Sequence, residues 1–204
     1  MDSRAHWNRV YQEKSPDAVS WFQPTLHRSL ECIDDLSLPT TAHIADIGGG
    51  ASTLVDDLLA RGFQQVSVLD LSAHALQHSQ ERLDAQGENV RWIEGSATDV
   101  HFEKESVDLW HDRAVFHFLT EDAQRQHYHQ ALLHSLRPGG HVILATFSPN
   151  GPAKCSGLPI RKHSARALFD FLGEAFEPIA HALEEHETPW QSQQEFTYII
   201  AKKR

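Results

Sequence analysis

The chain has 204 residues, with 18 Lys and Arg against 28 Asp and Glu, a formal net charge of −10 with histidine neutral. A chain of this length buries about two-thirds of its unfolded surface, so one cooperative core needs neither disulfides nor a structural metal. An apolar fraction of 40%, with five Trp and ten Phe, excludes a disordered chain. The acidic balance also argues against nucleic-acid binding, because the only basic run is Lys202-Lys203-Arg204. No apolar run approaches the ~20 residues of a membrane-spanning helix. Only two cysteines, Cys32 and Cys155, occur, and no apolar leader precedes the chain, which points to a reducing, cytoplasmic setting. The fifteen histidines are scattered, without HExxH or paired CxxC spacing, so no metal site is expected.

In chain order, the first forty residues read as a mixed helical cover, with Trp7, Val10 and Tyr11 before Ser15-Pro16, then Trp21, Phe22, Leu26, Leu30 and Ile33 on a helical period, ending at Leu38-Pro39. A core strand, His43 to Ile47, enters Gly48-Gly49-Gly50, and Ser52 to Leu59 has the spacing of a helix. The alternation continues with strand Val66 to Asp70, helix Ala73 to Gln86, and strands Val90 to Glu94 and Val107 to His111. Helix Glu121 to Leu136 stops before Pro138-Gly139-Gly140, and His141 to Phe147 reads as a buried strand. A Gly- and Pro-rich loop, helix Ser164 to Leu172, and strands Phe176 to Leu183 and Phe196 to Ala201 complete the chain. This order predicts one domain: a Rossmann-like, doubly wound α/β sheet, mostly parallel, with helices on both faces and an antiparallel C-terminal hairpin at the edge.

The most informative stretch is Asp46-Ile47-Gly48-Gly49-Gly50 between the first strand and its helix. Glycines there allow a tight turn and close approach of a ligand to the helix N-terminus. Asp70 follows Gly48 by 22 residues, the separation at which a second strand presents a carboxylate to a ribose diol. The GxGxxG spacing is incomplete, and Asp46 would repel a pyrophosphate, so a cationic ligand fits better than NAD.

These residues resemble the first motif of the class I S-adenosylmethionine-dependent methyltransferase superfamily, acidic-x-Gly-x-Gly. Further marks are Asp70, Gly95-Ser96-Ala97, the segment Trp110 to His117, and Leu136-Arg137-Pro138-Gly139-Gly140. The resemblance implies S-adenosyl-L-methionine as cofactor and S-adenosyl-L-homocysteine as product. It implies that Gly48, Gly49 and Gly50 shape the bed, Asp46 orients the amino-acid end, and Asp70 with Leu71 receives the ribose. Ser96, Ala97 and Asp99 would face the adenine. Asp112, where cofactor and substrate meet, would hold the cofactor or orient the nucleophile, and His117 or His111 would accept a proton.

Substrate selection falls to the cover and the loop from Phe147 to His163, with Trp21, Phe22, Phe116, Phe118 and Trp190 as apolar contacts. Cys155 lies in that loop, and its neighbour Lys154 would favour a thiolate. The expected reaction is in-line methyl transfer to a small organic molecule. The alternatives are a protein-lysine methyltransferase, which the arm from Trp7 to Trp21 loosely resembles, and a non-enzymatic S-adenosylmethionine-binding module. The protein would act as a monomer or homodimer.

Overall fold

The structure, a computed structural model, describes residues 3–204. Its elements are α1 (Ser3–Glu13), α2 (His27–Asp35), β1 (His43–Ile47), α3 (Leu54–Ala60), β2 (Gln65–Asp70), α4 (Ala73–Leu83), β3 (Arg91–Glu94), β4 (Val107–Arg113), α5 (Asp122–Ser135) and β5 (Leu136–Phe147). They are followed by the two-residue strands β6 (Lys154–Cys155) and β7 (Leu158–Pro159), then α6 (Ala165–Leu172), β8 (Phe176–Glu187) and β9 (Gln193–Lys203). The main sheet has the order β3-β2-β1-β4-β5-β9-β8. Strands β1 to β5 are parallel, and β9 runs antiparallel between β5 and β8. The order reverses between β1 and β4, so a crevice opens at their carboxyl ends, where such sheets bind ligands.

The central strands are apolar on both faces because helices cover both. Ile44, Val68, Leu109 and Ile143 pack under Leu30 and Ile33 of α2, Leu54 and Leu58 of α3, and Leu76 of α4. Ala45, Trp110, Val142 and Leu144 face the other way, toward Tyr128 and Leu132 of α5 and Leu168 and Leu172 of α6. Side chains at the helix starts satisfy free backbone N–H groups. Ser72 accepts from Ala75 N at 3.2 Å, Ser164 accepts from Ala167 N at 3.2 Å, and Glu121 with Gln124 forms a capping box.

Several boundaries differ from the sequence reading. Strand β5 begins at Leu136, five residues earlier than expected, because Leu136 pairs with Val107, and Arg137 to Gly140 bulge out of the ladder before pairing resumes at His141 opposite Leu109. Gly139 allows this bulge with φ +77°. The final hairpin is longer than expected, pairing Phe176 to Glu187 with Gln193 to Lys203. Strand β4 extends to Arg113, two residues past the expected end, which brings that side chain to the crevice.

The anticipated cover divides in two. Helix α2 belongs to the core, with Leu30 and Ile33 buried on the sheet. Residues 3 to 23 lie over the crevice, anchored to α4 by Asn8 Oδ1 accepting from Ser72 Oγ at 2.8 Å and by Tyr11 O bonded to His78 Nε2 at 3.0 Å.

Candidate active site

The turn after β1 is a cradle with no room for side chains. Gly48 has φ +75°, and a Cβ there would lie 1.9 Å from Val115 Cγ2. A Cβ on Gly49 would meet Asp46 Oδ2 at 2.2 Å, and one on Gly50 would meet Asp70 Oδ2 at 2.4 Å. The glycines thus bring two carboxylates against the backbone at the carboxyl ends of β1 and β2. A cleft of about 590 Å³ opens there. Gly48, Asp70, Leu71, Ser96 and Ala97 form one wall, Val115, Phe118 and Leu119 the other, and Cys155, Leu158 and Pro159 the far end. Trp7, Tyr11 and Trp21 form the roof, with Trp7 edge-on to Trp21 at 5.5 Å and to Phe118 at 5.1 Å between ring centroids. A small pocket of about 50 Å³ continues past Gly48 and Gly49 under Phe22, Gln23 and Leu26, reaching Asp46 and His111.

Asp46 is buried, and its Oδ1 pairs with His111 Nδ1 at 2.8 Å. His111 Nε2 is bonded to Ser29 Oγ at 2.9 Å, so both ring nitrogens are engaged. Asp46 Oδ2 is buried without a hydrogen-bond partner. Asp70 Oδ1 accepts the Ser72 N–H at 2.8 Å, and burial pushes its pKa up to about 7. Leu71, Ser96 and Ala97 line the cleft beside it, and Trp21 and Phe22 line the roof and the small pocket.

Other residues singled out from the sequence lie elsewhere. Asp112 is completely buried on the α5 side of β4, away from the cleft. Its Oδ1 accepts from Val115 N at 3.0 Å and Phe116 N at 3.3 Å, and its Oδ2 from Tyr128 Oη at 2.7 Å. That carboxylate shapes the turn after β4 and lines neither cavity. Phe116 is core, packed against Phe171 and Tyr128 at 4.5 and 5.1 Å. His117 is sealed beneath Phe147, and burial lowers its pKa to about 3, so it stays neutral and does not reach the cleft.

Asp99 is exposed, pairs with His101 at 3.4 Å and lines neither cavity. Trp190 stands exposed at the tip of the last hairpin. Cys155 does line the cleft, but burial pushes its thiol up to about 12, the opposite of the thiolate expected beside Lys154.

The sequence reading missed Arg113, a buried cation lining both cavities. Its Nε donates to Tyr198 Oη at 3.0 Å and its Nη1 to Trp21 O at 3.1 Å, while Glu184 lies 3.4 Å from Nη2 and the guanidinium stacks 4.4 Å over Phe196. Alternation along β4 was the available signal. Arg113 shares a strand face with His111 and Leu109, whereas Asp112 shares the opposite one with Trp110. Ser29 and Gln23 carried no local pattern, since their partners come from remote strands.

The orphan oxygen of Asp46, the Gly48-Gly49-Gly50 cradle and the half-buried Asp70 suit a ligand carrying an ammonium group and a diol, as S-adenosylmethionine does. Cradle, carboxylates and switch point together form a covered cleft of the kind in which α/β sheets bind nucleosides. Residues 44–140 match the family model described as "Methyltransferase domain". The 1,6-didemethyltoxoflavin-N1-methyltransferase of Burkholderia thailandensis, solved with 1,6-didemethyltoxoflavin and S-adenosylhomocysteine, superimposes with a TM-score of 0.77. The match has 21% identity and covers 98% of this chain and 86% of that one. The chain has the fold of the class I S-adenosylmethionine-dependent methyltransferases, with a methyltransferase-domain match over residues 44–140.

Among curated relatives, EEF1A lysine methyltransferase 2 of Mus musculus is 26% identical over 95 residues, 43% of this chain and 39% of that protein. The eEF1A lysine and N-terminal methyltransferase homolog of Drosophila melanogaster is 23% identical over 175 residues, 82% of this chain and 24% of that protein. This chain therefore spans well under half of either relative. Among the described residues no helix is long and apolar enough to cross a membrane.

Proposed function

We propose that this chain transfers a methyl group to the side chain of a lysine in a protein substrate. The observation that carries the reading is the alignment over 82% of the chain with a protein named as a lysine and N-terminal methyltransferase homolog. Surface chemistry supports it. The chain carries a net charge of −10, and its last hairpin exposes Glu177, Glu185 and Glu187 beside Leu183 and Trp190, each of the latter two 58% exposed. Such a surface suits a Lys- and Arg-rich protein better than a neutral metabolite.

The cofactor supplies a methyl group already activated on a sulfonium. The chain's part is to align the acceptor, exclude water and obtain an unprotonated amine. In this reading Asp70 accepts hydrogen bonds from the ribose hydroxyls, Ala97 and Leu71 flank the adenine, and Trp7, Trp21 and Phe118 wall the acceptor end. A lysine ammonium entering that aromatic wall loses hydration, and desolvation lowers its pKa. Its proton leaves to solvent on the way in, because the nearby histidines and thiol are unsuited to take it. His111 has both nitrogens engaged, His117 is sealed, and the Cys155 thiol stays protonated. An amine held there without its proton would be placed to accept in line the methyl group that the cofactor would supply.

A second reading, transfer to a small amine, is favoured by the aromatic side chains of Trp7, Tyr11 and Trp21 that line the cleft. Incubation with methyl-labelled S-adenosylmethionine and either a basic protein fraction or a panel of small amines separates the two. Label recovered on lysine residues is expected; label only in small amines would establish the second reading.

A further inference from the structure

The hydrogen bonds around Gln23 fix which way its amide faces. His186 Nε2 lies 2.6 Å from Ser20 O, and a carbonyl only accepts, so Nε2 carries the ring proton. Burial, helped by the Arg113 charge, lowers the His186 pKa and keeps the ring neutral, leaving Nδ1 an acceptor. Gln23 Nε2 approaches that Nδ1 at 3.0 Å and Glu184 Oε1 at 3.2 Å. Both neighbours need a donor, so the amide nitrogen must face them. A flipped amide would set its oxygen against a carboxylate and a ring lone pair. The consequence is that Gln23 Oε1 is turned away from the hairpin, buried and without a partner.

Gln23 and Asp46 both line the small pocket, and each has one buried side-chain oxygen without a hydrogen-bond partner. Buried acceptors without donors are costly. Two of them on residues that line one pocket of about 50 Å³ suit a compact ligand group with at least two N–H donors. The pocket is too small for adenine, and it opens on the cradle at Gly48, which both cavities share. We propose that Gln23 joins Asp46 in seating the α-ammonium of the cofactor's methionyl group, so that the covering segment itself is a cofactor ligand. Glu184 and His186 are positioning residues that act through Gln23, tying cofactor occupancy to the last hairpin. The inference rests on the cofactor and is independent of the methyl acceptor.

Calorimetry with S-adenosylhomocysteine and its analogue lacking the α-amino group tests the proposal. Gln23→Met, of similar size without the acceptor, should bind S-adenosylhomocysteine about tenfold more weakly while binding the desamino analogue within about twofold of wild type. Equal weakening of both ligands, or undiminished affinity for S-adenosylhomocysteine, would overturn it. So would an effect confined to the KM of the acceptor, which would assign the pocket to the substrate's amine. Hydrogen exchange on the wild-type protein needs no variant. S-adenosylhomocysteine should slow exchange across residues 19 to 23 and the desamino analogue should not; equal protection by both would refute the proposal.

Discussion

The two faces of strand β4 carry neighbouring charged residues with opposite fates. On one face Asp112 is enclosed by Tyr128, Trp110 and the amides of the following turn, and it serves that turn. On the other, His111 and Arg113 look into the cavities; His111 bonds to Ser29 of α2, and Arg113 links β4 to the covering segment and the last hairpin. Both faces are buried, so burial does not mark the functional one. What separates them is the layer overhead: α5 packs directly on the first face, while the second opens beneath residues 3 to 23.

The largest expected effect comes from breaking the closed face. Asp112→Ala strands two amides and the Tyr128 hydroxyl, and should cost about 4 kcal/mol of stability in urea denaturation. Cofactor affinity of the folded fraction should stay unchanged, and a selective loss of affinity would return Asp112 to the site. Breaking the open face with Arg113→Met should cost about 3 kcal/mol, because Glu184 loses its buried cation and Trp21 O its donor. Unlike Asp112→Ala, it should also weaken S-adenosylhomocysteine binding by calorimetry, since the roof over the cleft loosens.

Asp70→Ala should weaken the same binding by about 1–3 kcal/mol. The pH dependence of Asp70 sharpens the contrast. Its pKa is raised to about 7 by burial, so the folded apoprotein holds a proton that the unfolded chain has released. This group therefore lowers apoprotein stability as pH rises from the ordinary carboxylate range through 7. The ribose diol and the cationic cofactor favour the ionised carboxylate, so S-adenosylmethionine affinity should increase between pH 6 and 8 and the increase should flatten in Asp70→Asn. The smallest effect belongs to Cys155→Ser. Turnover should change less than twofold, and Ellman's reagent should react slowly at pH 8, because the buried thiol stays protonated.

Much of the scaffold was legible because it is written locally. Alternating apolar runs and helical periods mark β1 to β4 and their helices, and the Asp46 to Gly50 turn with Asp70 marks where the cleft opens. The reading failed at Leu136 to Gly140, where pairing with Val107 outweighs the usual effect of Pro and Gly on a strand. It also failed at Asp112, Phe116 and His117. A residue just past a strand end is as near the crevice in sequence as Arg113, and the side on which it emerges depends on the register of β4 and on what packs above it.

Length, composition and motif spacing were enough to specify the main α/β sheet and a glycine cradle flanked by carboxylates, because each depends on residues within one strand–turn–helix unit. The tertiary structure alone decided which carboxylates face that cradle. It also decided the state of Cys155 and the assembly of Ser29, Gln23, Arg113, Glu184 and Tyr198 around it. Those outcomes depend on desolvation and on hydrogen bonds between residues up to 169 positions apart, which no local pattern encodes.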